Sequence, residues 1–103
     1  MKDDKLLHFK TAITLVLKDL RGQKKVTQAN VNADFLDQYG FAHNMGRNEL
    51  EANFTIETLY MYCKYFGVSE LEFFKKVNDV EEKKILEYIE EKAEKRKLKD
   101  KKQ

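Results

Sequence analysis

A short polar segment in the middle of the chain, residues 43–49, carries side chains suited to specific recognition. The planar guanidinium of Arg47 can donate two hydrogen bonds to O6 and N7 of guanine. The amides of Asn44 and Asn48 can pair in a similar way with N6 and N7 of adenine, and His43 can contact a phosphate. One good bidentate contact contributes roughly 1–3 kcal/mol of discrimination between bases. These residue types make the segment a candidate for reading a nucleic acid.

Further candidates for phosphate contacts precede this segment. Lys24 and Lys25 belong to a basic stretch, residues 21–25, which is predicted to form a turn because Gly22 follows the first helical pattern. Thr27 is a suitable N-cap, which places Gln28 at the start of a second helix. There the Gln28 amide and the unpaired backbone N–H groups of the helix could bind a phosphate.

Each candidate also has an ordinary explanation. Arg47 can instead form a surface ion pair with Glu49 or Glu51, an interaction that contributes little in water. Asn44 and Asn48 are ordinary turn or surface residues about as often as they read bases, and His43 alone would be a solvated histidine. A pair such as Lys24 and Lys25 most often belongs to a polar loop. The sequence alone leaves both explanations open.

Helical periodicity determines how these residues are positioned. Helices are predicted over residues 6–20, 28–36 and 56–66, from residue 70 onwards, and after residue 79. Residues 37–40 are predicted as the turn that ends the second helix, with Gly40 supplying the unusual backbone angles. The segment Phe41–Leu50 has few apolar anchors and is predicted as a loop or short helix, while Asp3 or Asp4 can cap the first helix. Further along the chain, Thr55 and Gly67 are predicted to cap the start and the end of the fourth helix, and Ser69 is predicted to cap the start of the fifth. The apolar face predicted for the fourth helix consists of Ile56, Leu59, Tyr60 and Cys63.

Composition supports an all-α protein and offers nothing for catalysis. The 103 residues include no proline and four glycines, 37% are charged, and no β-type alternation is present. One cysteine and two histidines cannot form an internal disulfide or a zinc site. No phosphate-binding loop, dinucleotide fingerprint or paired-carboxylate site is recognisable, so we expect no enzyme and no cofactor. A reducing cytoplasmic compartment is the default expectation, since no apolar run approaches membrane-spanning length.

Charge is unevenly distributed along the chain. Residues 1–47 carry a net charge of +3, residues 48–91 carry −6 and residues 92–103 carry +5. A polyanion would therefore approach the front of the chain or its C-terminal end and avoid the middle.

The order of several short motifs resembles one known family. These motifs are Leu20-Arg21, Val26-Thr27-Gln28, Met45-Gly46-Arg47-Asn48-Glu49, Ala52 to Leu59, and Phe66-Gly67-Val68-Ser69. The span from Leu7 to Val77 thereby resembles the lambda-repressor/Cro-like helix-turn-helix family, also called the xenobiotic-response-element family. The resemblance implies a five-helix DNA-binding domain over residues 1–78, followed by a C-terminal amphipathic helix and basic tail over residues 79–103.

The resemblance also implies roles for particular elements. The third helix would lie in the major groove of duplex DNA, and the start of the second would face the phosphate backbone. Gly46 could let the third helix approach DNA closely. In such proteins the residue equivalent to Glu49 tends to be structural, tying the third helix to its surroundings.

The C-terminal helix has two possible partners. Its apolar stripe of Ile85, Ile89 and Ala93 can fold back on the five-helix domain or pair with a second chain. Helix-turn-helix proteins usually bind two half-sites as dimers, so homodimerisation through this helix is our expectation. The basic tail beyond Lys95 either adds phosphate contacts or frays as a solubilising end.

Two functions follow from these patterns. The first is sequence-specific binding of double-stranded DNA by a cytoplasmic transcriptional regulator. The second is a protein-interaction module, such as an antitoxin-like or regulatory partner, that keeps the fold without specific DNA binding. The alternative is motivated by the acidic middle of the chain and by Asn48, which stands where the family usually has an apolar anchor.

Overall fold

The first and longest helix, α1 (Asp4–Lys24), contacts three of the later helices. The computed structural model describes residues 4–40 and 42–101, with side chains described as far as residue 98. In this part of the chain the later helices are α2 (Gln28–Tyr39), α3 (Met45–Glu51), α4 (Ile56–Phe66), α5 (Glu70–Asp79) and α6 (Glu82–Lys101). These residues include no strand, so the predicted all-α class is confirmed. The predicted roles of Asp3 and Phe41 lie outside the described residues.

Local capping chemistry sets most helix ends. The side-chain oxygens of Thr27, Thr55 and Ser69 each accept a hydrogen bond from a backbone N–H three residues later, at the starts of α2, α4 and α5. Gly40 and Gly67 end α2 and α4 with φ angles of 62° and 70°, which glycine adopts without steric cost. These three predicted N-caps and the two glycine ends are confirmed, whereas Asp4, the other candidate cap, is the first residue of α1.

The end of α1 differs from the prediction. Gly22 lies inside the helix, and the chain turns at Lys25, whose φ is 60°. The Lys25 amide donates to the Gly22 carbonyl and the Val26 amide donates to the Arg21 carbonyl, the two bonds of a Schellman closure. Gly22 is exposed and its helical cost is about 1 kcal/mol, which the surrounding helix tolerates. The predicted basic turn is therefore wrong, because residues 21–24 belong to α1.

Two other helices are longer than predicted. Residues 37–39, predicted as a turn, continue α2, and the ring of Tyr39 packs edge-on against Phe35 one turn earlier at 5.4 Å. The α6 helix continues to Lys101, so the basic tail is helical through that residue and the expectation of fraying beyond Lys95 is wrong.

The core lies between α1 and the inner faces of the other helices. Leu17, Phe35, Tyr62 and Phe73 are fully buried at its centre, and Ile85 of α6 joins the same cluster. Ile85 and Ile89 pack on this core, so two of the three residues of the apolar stripe of α6 are occupied within the chain, while Ala93 is exposed. The sequence allowed α6 either to fold back on the domain or to pair with a second chain, and in this structure it folds back.

The apolar face predicted for α4 is only partly correct. Cys63 is buried and Leu59 packs against the core, but Ile56 is 87% exposed and Tyr60 is about half exposed. The buried face instead includes Tyr62 and Tyr65, whose hydroxyls hydrogen-bond with His43 and Asp34. A buried tyrosine is stable only when its hydroxyl has a partner, and a pattern of apolar residues does not reveal such partners.

Candidate nucleic-acid interface

The short helix α3 is fixed to the domain at its first turn. Asn44 is its N-cap, and the Asn44 Oδ1 accepts a 3.0 Å hydrogen bond from the Arg47 amide. The Met45 amide donates to Oδ1 of Asn32 on α2 at 2.8 Å, and the Met45 side chain is fully buried. A seven-residue helix has little stability of its own, so these contacts are what hold it in place.

A buried carboxylate joins α3 to two other helices. Glu49 is 3% exposed, and its two oxygens accept hydrogen bonds from Arg21 of α1 at 3.1 Å and 2.9 Å. The Gln28 amide of α2 donates to the same carboxylate at 2.8 Å. Glu49 thus connects α1, α2 and α3, which agrees with the structural role that the family resemblance implied. We call Arg21, Gln28 and Glu49 the carboxylate tripod.

Gly46 makes a close approach to the tripod. A Cβ atom added at Gly46 would lie 3.0 Å from Oε1 of Gln28. Such a contact is tighter than ordinary van der Waals packing, so the absence of a side chain gives Gln28 the space to reach Glu49. In the isolated chain the close approach is therefore between α3 and Gln28, whereas the sequence suggested an approach to DNA.

His43 faces the interior. Its ring stacks on Phe35 with centroids 4.9 Å apart, and its Nε2 hydrogen-bonds with the Tyr62 hydroxyl at 2.5 Å. Burial lowers the pKa of His43 from its ordinary value of 6.5, because the charged imidazolium loses hydration. This placement gives His43 a packing role inside the domain.

Asn48 lies close to the same tyrosine. It is half-buried and lies near the Tyr62 hydroxyl, where it partly offsets the rise in the pKa of Tyr62 that burial causes. Asn48 is therefore partly enclosed by the domain and less accessible than Arg47.

The two lysines after Arg21 have different environments. The Lys24 Nζ donates to the Tyr65 carbonyl at 3.1 Å and lies 4.0 Å from the centre of the Tyr65 ring. These contacts tie the end of α1 to the last turn of α4. Lys25 is exposed at the left-handed position and is accessible to an anion.

The outer face of α3 presents Arg47 and Asn44. The Arg47 side chain is 71% exposed and pairs with Glu51 at 3.2 Å, as one of the ordinary explanations anticipated. An exposed pair of this kind is worth at most about 1 kcal/mol, so it can open when a better partner arrives. Four of the seven predicted contact residues are exposed: Lys24, Lys25, Asn44 and Arg47. Lys24 nevertheless donates to the Tyr65 carbonyl. The three half-buried residues face the domain, where Gln28 and His43 have side-chain partners and Asn48 lies near Tyr62.

Sequence reasoning missed two residues that position α3. Arg21 was interpreted as part of a turn, and its partner Glu49 lies 28 positions away, so no local pattern links them. Asn32 supports the first turn of α3 from the middle of α2, where it looks like an ordinary polar helix residue. A covarying pair in related sequences would be the signal to find such contacts.

No protein-family model, curated protein or solved structure matches this chain. Within the described residues, no cluster of three or more histidine, cysteine, aspartate or glutamate side chains could hold a metal ion. The helices described for this chain include none that is long and apolar enough to cross a membrane. The site is therefore interpreted from its own geometry.

The lowered pKa of His43 predicts how stability responds to acid. The unfolded chain binds a proton near pH 6.5 and the folded chain binds it only at lower pH, so protonation favours unfolding. The contribution is fully present above about pH 6.5 and is lost as the pH falls through the folded-state pKa. Urea unfolding followed by circular dichroism should show this decline, and His43→Gln should flatten it.

The matched control is His8→Gln, which removes the other histidine, on α1, and should keep the wild-type decline. An unchanged pH dependence in the His43 variant would contradict the assignment of the decline to His43.

Proposed function

We propose that this protein binds double-stranded DNA in a sequence-specific manner and acts as a transcriptional regulator of the lambda-repressor-like helix-turn-helix type. The observation that carries the proposal is the contrast between the two sides of α3. Its inner side is fixed by the buried Glu49 and Met45, while its outer side presents Arg47 and Asn44 to the solvent.

Rigidity of the inner side supports a reading function. Recognition of a base edge requires that a donor be placed to within a fraction of an ångström, and fixed elements place donors better than mobile ones. Glu49 receives three charge-assisted or amide hydrogen bonds from two other helices, at 2.8–3.1 Å. Such bonds are short and directional, so they hold the orientation of α3.

The residues on the outer side match the proposed reading chemistry. Residues near the start of a recognition helix contact base edges in the major groove. Asn44 and Arg47 occupy the N-cap and the first turn of α3, and the Arg47 fork fits guanine. Lys25, between α1 and α2, is an exposed cation suited to a phosphate, and the start of α2 supplies backbone N–H groups nearby in the chain.

A homodimer is part of the proposal, since proteins of this type usually occupy two half-sites. The stripe of Ile85 and Ile89 is used by the core, so a second chain would need a different surface. Leu86, about half exposed, and Leu98, 62% exposed, lie elsewhere on α6 and are available to it.

The decisive experiment is a selection from randomised duplexes followed by titration. The purified protein should enrich a short motif, and fluorescence anisotropy at low salt should show tighter binding to that motif than to a scrambled duplex. Affinity should fall as salt rises, because phosphate contacts release counterions. No enrichment and no binding at micromolar protein in low salt would refute the proposal.

A second candidate function rests on exposed apolar side chains behind α3. Ile56 is 87% exposed and Leu50 is 60% exposed, and exposed apolar side chains mark a protein-interaction site where they form a contiguous patch. A protein-interaction module would use this surface and would show no preference among duplexes. The same titration separates the two candidates.

A further inference from the structure

On the face of α6 that lies towards the rest of the molecule, the side chains change from apolar to basic along the helix. Ile85, Tyr88 and Ile89 lie on this face, and the two isoleucines pack against the core. Continuing at intervals of three and four residues, the same face carries Lys92, Lys95 and Arg96. We call these three residues the basic face of α6. The face is apolar where it covers the core and cationic where it passes beyond it.

The basic face lies beside the end of the candidate reading helix. The Lys92 Nζ donates a 2.7 Å hydrogen bond to the carbonyl of Leu50, in the last turn of α3. A helix C-terminus carries a partial negative charge, so an ammonium group is favourable there. Leu50, Lys92, Lys95 and Arg96 together line an open groove at this junction. The contact fixes where the basic face stands relative to α3.

The cations of the basic face are not neutralised within the described part of the chain. Both ion pairs found there involve other residues, Arg21 with Glu49 and Arg47 with Glu51. Four acidic side chains of α6 line a separate groove: Glu87, Glu90, Glu91 and Glu94. Burial lowers the pKa of Lys92, and the nearby charges of Arg96 and Lys18 add to this effect. An anion brought to this junction would relieve that repulsion.

We infer that the basic face of α6 binds the phosphate backbone of the duplex beside the base pairs that α3 reads. This inference rests on the proposed function, because it places the phosphates relative to an α3 lying in the major groove. Lys95 and Arg96 are exposed and make the phosphate contacts, and Lys92 anchors the helix to Leu50. The C-terminal helix is thus an extension of the DNA-binding surface, added to the five preceding helices.

The test compares the salt dependence of binding in two double variants of the full chain. Lys95→Gln with Arg96→Gln removes the two exposed cations of the basic face. Lys83→Gln with Lys84→Gln removes the same charge at the other end of α6, where Lys84 lines a groove with Asp79 and Glu81. Circular dichroism establishes that both variants remain folded, and fluorescence anisotropy gives the dissociation constant of the selected duplex and a scrambled duplex over a range of salt concentrations.

Each phosphate contact contributes about 0.9 to the slope of the logarithm of affinity against the logarithm of salt. The variant of the basic face should therefore lose roughly 1.8 from that slope on both duplexes, since phosphate contacts carry no sequence information. The control variant should keep the wild-type slope. Equal slopes in the wild type and the variant of the basic face, or equal losses in both variants, would overturn the inference and leave the proposed function standing. Absence of any DNA binding by the wild type would refute both.

Discussion

Replacement of Glu49 with alanine is expected to lower the free energy of unfolding by about 3–5 kcal/mol, the cost of removing one member of a buried ion pair. The substitution leaves the Arg21 guanidinium, whose side chain is 15% exposed, without its carboxylate. It also removes the acceptor of the Gln28 amide and the link between α1, α2 and α3. Denaturant unfolding followed by far-ultraviolet circular dichroism measures the loss. A loss of this size approaches the whole stability of a small domain.

The chain offers a matched control in the same helix. Glu51 is the other acidic residue of α3, and its ion pair with Arg47 is largely exposed, so Glu51→Ala should change the free energy of unfolding by less than about 1 kcal/mol. Glu49→Gln keeps the shape and one acceptor oxygen and should fall between the two. If Glu49→Ala costs no more than Glu51→Ala, the carboxylate tripod does not hold the fold.

Replacement of Arg47 with alanine is expected to weaken binding to the selected duplex by about 5- to 150-fold. That range corresponds to the roughly 1–3 kcal/mol contributed by one bidentate contact to guanine. Binding to a scrambled duplex should change much less, because base reading contributes little there. The fold should be unaffected, since the Arg47 side chain is 71% exposed and has only a surface partner. Competition titrations with the two duplexes measure the ratio directly.

Two companion variants sharpen this prediction. Arg47→Lys keeps the charge but loses the planar fork, so it should lose specificity nearly as much as the alanine variant. Glu51→Gln frees Arg47 from its ion pair and removes a negative charge from the outer face of α3, so it should strengthen binding to both duplexes. Equal losses on both duplexes in Arg47→Ala would show that Arg47 contacts phosphate and reads no base.

The helix starts were predictable because capping chemistry is local. Thr27, Thr55 and Ser69 each bond to an amide three residues away, so the whole interaction lies within one short stretch of sequence. The end of α1 escaped prediction because Lys25 takes the left-handed conformation that glycine usually provides. Sequence patterns assign such an end to the nearest glycine, here Gly22, three residues too early.

The candidate site was less predictable because its parts are brought together by tertiary structure. The pairing of Arg21 with Glu49 spans 28 positions, and that of Lys24 with the Tyr65 carbonyl spans 41. A basic residue looks the same in sequence whether it faces a phosphate or a buried carboxylate. Glu49 was placed correctly through the family resemblance, whereas Gln28 and His43 have partners inside the domain.

The C-terminal helix shows the same limit. The sequence predicted the apolar stripe of this helix but not the surface that the stripe covers, because that surface depends on how α1 and α5 are packed. Ile85 and Ile89 fill that space, and the basic face then arrives beside Leu50. The relation between α6 and α3 arises from the length of a 20-residue helix, about 30 Å, and from the packing of Ile85 and Ile89 on the core.

The two sides of α3 differ in how well they tolerate substitutions. The side chains at positions 21 and 28 both hydrogen-bond to the carboxylate at position 49, so a change at one of the three positions is harmful unless the others change with it. Position 47 faces outwards and has only an exposed partner, whereas Asn44 also caps α3 and is less free to change. Under the proposed function, descendants of this chain could change operator through position 47 without passing through an unstable intermediate.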